Sequence, residues 1–139
     1  MGNANIDKKI GEFIGEFNRH IEEIRSSKIL VVVEGNKDRM ALQVAGIDNI
    51  IQLSKKPLFQ IVEEIADSNH ECIILTDLDK EGKCLYSKLN SDLQKNGVKI
   101  NNKFREFLFR HTKIRQIEGI GRHMASSDLL MHVDFIWRI

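Results

Sequence analysis

Two short apolar runs in this chain each break off in acids. Ile29-Leu30-Val31-Val32-Val33 stops at Glu34-Gly35, and Ile73-Ile74-Leu75-Thr76 stops at Asp77-Leu78-Asp79-Lys80-Glu81-Gly82. Neither run alternates with polar residues, and both are rich in β-branched side chains. They read as strands covered on two faces, which is the pattern of a parallel sheet. In open α/β sheets the ligand crevice lies outside the carboxyl ends of the strands. Carboxylates gathered there, with lysines beside them, suit a hard divalent cation and a phosphate-bearing ligand.

The remaining pattern fits the same fold class. Ile6, Ile10, Phe13, Ile14, Phe17, Ile21 and Ile24 recur at steps of three and four, predicting an amphipathic helix over 5–25. A strand over 28–33 leads to a helix over 37–45, with Gly46 placed as its C-terminal stop. A short strand over 49–52 follows, then a helix whose first turn carries Pro57. The strand 71–76 precedes a helix over 81–95, ended by Asn96-Gly97, and a helix is expected over 102–111. Residues 113–118 are read as the fourth strand, and a short helix is expected from Ser127 onward. Strand–helix repetition predicts a mostly parallel four-stranded, Rossmann-like sheet with helices on both faces. The organisation expected is an N-terminal helix over 1–27 packed on the domain, the α/β sheet domain itself over 28–118 and a C-terminal extension over 119–139.

Composition narrows the function classes. The chain has 139 residues and a net charge of +1, which excludes a uniformly basic coat for nucleic acid but allows local basic patches. No run of about 18 apolar residues spans a membrane, and Met1–Asp7 lacks the layout of a secretory signal. A cytoplasmic protein is expected. Cys72 and Cys84 form neither a CxxC pair nor a disulfide framework. The histidines His20, His70, His111, His123 and His132 show no HxxxH or HExxH spacing and are read as surface or loop residues.

If the first and third strands are neighbours, Glu34 and Asp77 end about 4.8 Å apart, and Asp79 reaches the same spot from the loop. Carboxylates that close repel one another unless a cation neutralises them or one takes up a proton. Asp77 and Asp79, with Glu34 and Glu81, form the candidate ligand set for Mg²⁺ or Mn²⁺. Glu34, its pKa raised, is the candidate general acid or base. The plainer reading of Asp79 and Glu81 is as caps of the helix that follows. Lys37, Lys80 and Lys83 would face phosphate, as would the cations of the carboxy-terminal third: Lys103, Arg105, Arg110, Lys113 and Arg115. Phe135 and Trp137 are read as packing residues.

These motifs resemble the toprim family, the catalytic domain shared by topoisomerases, bacterial primases and the ribonuclease that matures 5S ribosomal RNA. Val33-Glu34-Gly35-Asn36-Lys37-Asp38 is similar to the family's first strand ending in Glu-Gly, and Asp77-Leu78-Asp79-Lys80-Glu81-Gly82 is similar to its DPDREG form. Leu78 replaces the proline and Asn36 shifts the lysine by one position; neither removes a carboxylate. The likeness is strongest to small stand-alone toprim proteins of archaea and some bacteria. It implies a Mg²⁺-dependent site with Glu34 in acid–base chemistry and Asp77 and Asp79 on the metal.

Three functions compete. The first is a Mg²⁺-dependent nuclease or related phosphoryl-transfer enzyme on structured nucleic acid, RNA before DNA. The second is a toprim module that binds nucleic acid without cutting it, perhaps as a subunit of a larger complex. A phosphatase or receiver domain ranks last, because its acids would follow the first strand. The single tyrosine, Tyr86, lies in the helix after the acidic motif and reads as packing, so strand passage by this chain alone is not expected.

Overall fold

Strands buried on both faces leave their chain no choice but to alternate between two cores, and the computed structural model shows that partition. It describes residues 3–112, 114–118 and 120. The elements run α1 (Asn3–Ser27), β1 (Leu30–Val33), α2 (Asn36–Val44), β2 (Ile50–Gln52), α3 (Leu58–Ser68), β3 (Glu71–Leu75), α4 (Lys80–Lys95), β4 (Lys99–Ile100) and α5 (Lys103–His111), with a short 3₁₀ turn at Leu53–Lys55. The four strands form one all-parallel sheet in the order β2-β1-β3-β4. Val33 sits opposite both Gln52 and Leu75.

Because side chains alternate along a strand, Val31, Val33, Ile73 and Leu75 point to one face. There they meet α1, α2 and α5 through Phe13, Phe17, Ile21, Leu42, Phe104 and Phe107. Leu30, Val32, Cys72 and Ile74 point to the other face, against Ile61 and Ile65 of α3 and Leu89 and Leu93 of α4. Burial raises the Cys72 thiol to about 12, so it is a small core group rather than a nucleophile. The α1 stripe foreseen from its periodicity is therefore no detachable arm. Phe17 is fully buried and meets the Phe104 ring edge-on at 5.8 Å, while Phe13 stacks on Phe107 at 5.2 Å.

Three details differ from the sequence reading. The fourth strand is Lys99–Ile100, not the segment over 113–118. A two-residue edge strand directly after α4 carries no apolar run to announce it. Ile114 and Ile117 imitate a strand, but their N–H groups go to Thr112 Oγ1 and Asp77 Oδ1 instead of a ladder. Pro57 is the N-cap of α3, one residue ahead of its first turn. His20 lies between core and surface, 4.9 Å from the Phe107 ring centroid and 5.6 Å from that of Phe104, and its burial lowers its pKa. Gly46 stands just past the C-cap of α2 at φ +85°, where a Cβ is unwelcome. No described helix is long and apolar enough to cross a membrane. The expectations for Lys113, Gly119 and 121–139 lie outside the described residues, while Ile120 is described and buried in the core.

If α1 is part of the main core, Phe17→Ala should lower the unfolding free energy by about 3–5 kcal/mol, read from urea denaturation. A loss below about 1 kcal/mol would make α1 an accessory.

Candidate metal centre

The carboxyl ends of β1 and β3 deliver three acids to one point. One oxygen from each of Glu34, Asp38 and Asp77 lies within 4.8 Å of the other two. Each carboxylate is aimed by the main chain. The Asp77 N–H donates to Glu34 Oε2 at 3.2 Å, the Ile117 N–H to Asp77 Oδ1 at 2.9 Å, and the Gly35 N–H to Asp38 Oδ2 at 3.0 Å. The last bond is the return half of a capping arrangement at the start of α2, with Asp38 at the third helical position. Glu34 is further fixed by its own carbonyl, which accepts from the Ser54 N–H at 3.1 Å. The acids open on a cavity of about 350 Å³ that Lys37, Gln116 and Glu118 also line.

The electrostatics follow from this crowding. Burial raises the Glu34 carboxyl to about 6, and the neighbouring Asp77 and Asp38 charges push the same way. Asp38 is raised too, first by burial and then by Asp77 and Glu118, while N–H groups of Gly35 and Glu118 pull it down. An all-oxygen donor set with mutual repulsion suits a hard divalent cation. Opposite oxygens around Mg²⁺ are at most about 4.2 Å apart, so a cation here draws the carboxylates inward or reaches one through water. Glu34, Asp38 and Asp77 would hold it, and it would supply Lewis-acid polarisation of a phosphate.

Asp38 was quoted in the sequence motif but not proposed as a ligand. Its spacing of three from Gly35, the N-cap, is the signal that turns its carboxylate back toward the strand end. Asp79 goes elsewhere. Its Oδ1 accepts from the Gly82 N–H at 2.8 Å as the N-cap of α4, and it is exposed. Glu81 is exposed in the first turn of that helix. Neither belongs to the three-acid group; the capping reading describes their positions.

The cations separate into five places. Lys37 borders the acids. Lys80 is exposed at the start of α4. Lys83, Arg110 and Arg115 gather near the exposed ring of Phe109, where α4 and α5 meet. Lys103 lines a cavity with His20, Ile29 and Glu71, at the amino ends of β1 and β3 and so at the wrong end of the sheet. Arg105 is 7% exposed and cannot reach a bound phosphate. Its guanidinium donates to the carbonyls of Thr76 at 2.6 Å and Asp77 at 3.3 Å, and lies over the Tyr86 ring. It therefore anchors the turn that presents Asp77. Tyr86 packs as foreseen.

Gly82 is the other anchor. A Cβ on it would sit 1.9 Å from the Asp77 carbonyl oxygen, and its own carbonyl accepts from Thr76 Oγ1 at 2.7 Å. The first turn of α4 thus rests directly on the Asp77 peptide, which only glycine permits.

The fold and this cluster define an α/β protein with one parallel sheet and a candidate cation site where its two central strands end. The chain belongs to the UPF0292 family. It is 32% identical over 130 residues to the UPF0292 protein of Methanosarcina barkeri, covering 90% of each chain. To that of Methanocaldococcus jannaschii it is 30% identical over 113 residues, 75% of this chain and 88% of the relative. A solved structure of a protein from Aquifex aeolicus is similar with a TM-score of 0.69 at 30% identity, covering 76% of this chain and 96% of that one. No family model matches the chain.

Two outcomes are expected. Because the folded-state pKa of Glu34 is raised, its contribution to stability is fully present below about pH 4.5 and lost as pH rises through about 6. Glu34→Gln should therefore melt higher than wild type above pH 6, with the difference vanishing below pH 4.5; a constant difference across that range would refute the coupling. Gly82→Ala should lose about 3 kcal/mol or more from overpacking. Gly11→Ala, where nothing lies within 4 Å, should gain up to about 1 kcal/mol, and equal effects in the two urea titrations would contradict the close approach.

Proposed function

We propose that this chain is a toprim-like, Mg²⁺-dependent protein that acts on nucleic acid, as a nuclease or related phosphoryl-transfer enzyme on structured RNA. The observation that carries the reading is the convergence of Glu34, Asp38 and Asp77 within 4.8 Å at the ends of adjacent parallel strands. A protein that only bound a polyanion would gain nothing by concentrating like charge there. Glu34, Asp38 and Asp77 would hold a divalent cation, which would polarise the phosphate and offset its charge. Glu34, titrating at about 6, is suited to take a proton from a nucleophile or return one to a leaving group near neutral pH. Lys37, at the rim of the same cavity, adds positive charge for the flanking phosphates. Asp79 supports the site indirectly, by starting α4.

The alternative is a binding module or subunit that holds nucleic acid without cutting it. What favours it is that the described residues form one compact sheet domain, with no separate substrate-recognition domain among them.

A cleavage assay on a panel of structured RNAs and DNAs separates the two. The wild type should cut at least one substrate in Mg²⁺ or Mn²⁺ and stop in EDTA. Glu34→Gln should be slower by about 10²–10⁴-fold with its fold intact. Cleavage by Glu34→Gln at the wild-type rate would remove Glu34 from catalysis. Metal-insensitive binding without any cleavage would leave the binding module standing.

A further inference from the structure

One residue beyond Asp77, the chain enters a second cavity, of about 470 Å³, set between α4 and α5. It differs from the acid pocket in kind. Leu78, Tyr86 and Phe109 give it an apolar wall, and Lys83, Arg105 and Arg110 line it against a single acid, Glu106. Phe109 is the informative residue. The inward side of α5 is carried by Phe104, Phe107 and Leu108, all buried, whereas Phe109 is 44% exposed. Cations attend the ring: Lys83 Nζ stands 4.6 Å from its centroid and the Arg115 guanidinium 5.2 Å. The back of the cavity is held rigid by Arg105, whose guanidinium lies 4.4 Å over the Tyr86 ring and ties Tyr86 to the Asp77 turn, with the Tyr86 hydroxyl donating to Asn102 Oδ1.

An exposed aromatic ring ringed by cations matches a nucleotide part by part. The ring takes the face of the base, and the cations take the phosphate. The volume is within the range of small-ligand sites. A protein helix would need an apolar stripe to dock on, and this mouth offers one exposed ring among charges. The two cavities also share a wall. Arg105 grips the Asp77 carbonyl from the groove side, while the Asp77 carboxylate faces Glu34 and Asp38 on the other.

Resting on the function proposed above, we infer that the groove between α4 and α5 seats one unpaired nucleotide adjacent to the phosphate held at the acid cluster. Its base stacks on Phe109 and its phosphate pairs with Lys83 and Arg110. Lys83 is exposed, so it swings off the ring without disturbing any core contact. In a continuous duplex both faces of every base are already covered. The groove therefore selects strands with a free base: a tail, a bulge or a loop next to the cut.

The test uses two RNA duplexes of the same sequence, each annealed from two strands, one blunt at both ends and one with a short 3′ tail containing 2-aminopurine. Binding is measured with Mg²⁺ in a Glu34→Gln background that suppresses cleavage. Phe109→Ala should weaken the tailed duplex by roughly five- to a hundredfold and leave the blunt one unchanged. Phe109→Trp should restore the affinity, and 2-aminopurine emission should change on binding only when position 109 is aromatic. An exposed ring can be removed without unfolding the chain, which an unchanged melting temperature will show. If Phe109→Ala binds both duplexes as tightly as its parent, the groove assignment is overturned and the nucleic-acid reading survives. If neither duplex binds even to the wild-type chain, both fall. If Phe109→Ala instead converts a dimer to a monomer in sedimentation with RNA affinity unchanged, the groove belongs to a second copy of the chain and the nucleotide assignment is overturned.

Discussion

A strand covered on both faces can place polar chemistry only at its ends, and this molecule is organised by that constraint. β1 and β3 present apolar side chains to two cores at once, so nothing between their ends carries charge. Where each strand leaves the sheet, the burial that forbade a carboxylate falls away just enough to admit one. Glu34 and Asp77 stand at that boundary: dry enough for Glu34 to hold its proton to about pH 6, wet enough to exchange it. Depth in the sheet thus sets the chemistry as much as residue identity does.

Two devices keep the boundary rigid. Gly82 lets α4 sit on the Asp77 peptide without a side chain between them, and Arg105 fills the space on the far side with a cation that carbonyls and the Tyr86 ring satisfy. Burial lowers the Arg105 pKa, while Tyr86, Glu34 and Asp77 raise it; with its intrinsic basicity so high, the guanidinium stays charged. It is thereby a permanent counter-charge behind three mutually repelling acids. Removing such a partner leaves the facing charges uncompensated, which is the expensive direction for a buried ionic group.

The sequence made the central part of this design legible and obscured its edges for definite reasons. Long apolar runs and strong helical periodicity mark β1, β3, α1 and α4, and the acids at the strand ends stand out against them. β4 escapes because two residues bear no periodicity, and its apparent substitute over 113–118 has apolar spacing without a strand partner. Asp38 escapes because an acid inside a helix's first turn looks like ordinary capping, which it also is. Arg105 misleads in the opposite way. Lys103 and Arg110 lie within one or two turns of it along the same helix, yet its side chain is captured by main-chain carbonyls from a segment 28 and 29 residues away, a contact that local pattern cannot report.

The packing of α1 has an effect at a distance from α1 itself. Phe13 and Phe17 grip Phe104 and Phe107, those rings belong to the helix that carries Arg105, and Arg105 holds the turn of Asp77. The amino-terminal helix and the acid cluster lie toward different parts of the sheet, yet one lever joins them with α5 as its arm. Loosening α1 would reach the carboxylates as lost alignment through this chain of contacts. In hydrogen-exchange terms, α1 and the ends of the central strands are expected to open as one cooperative unit.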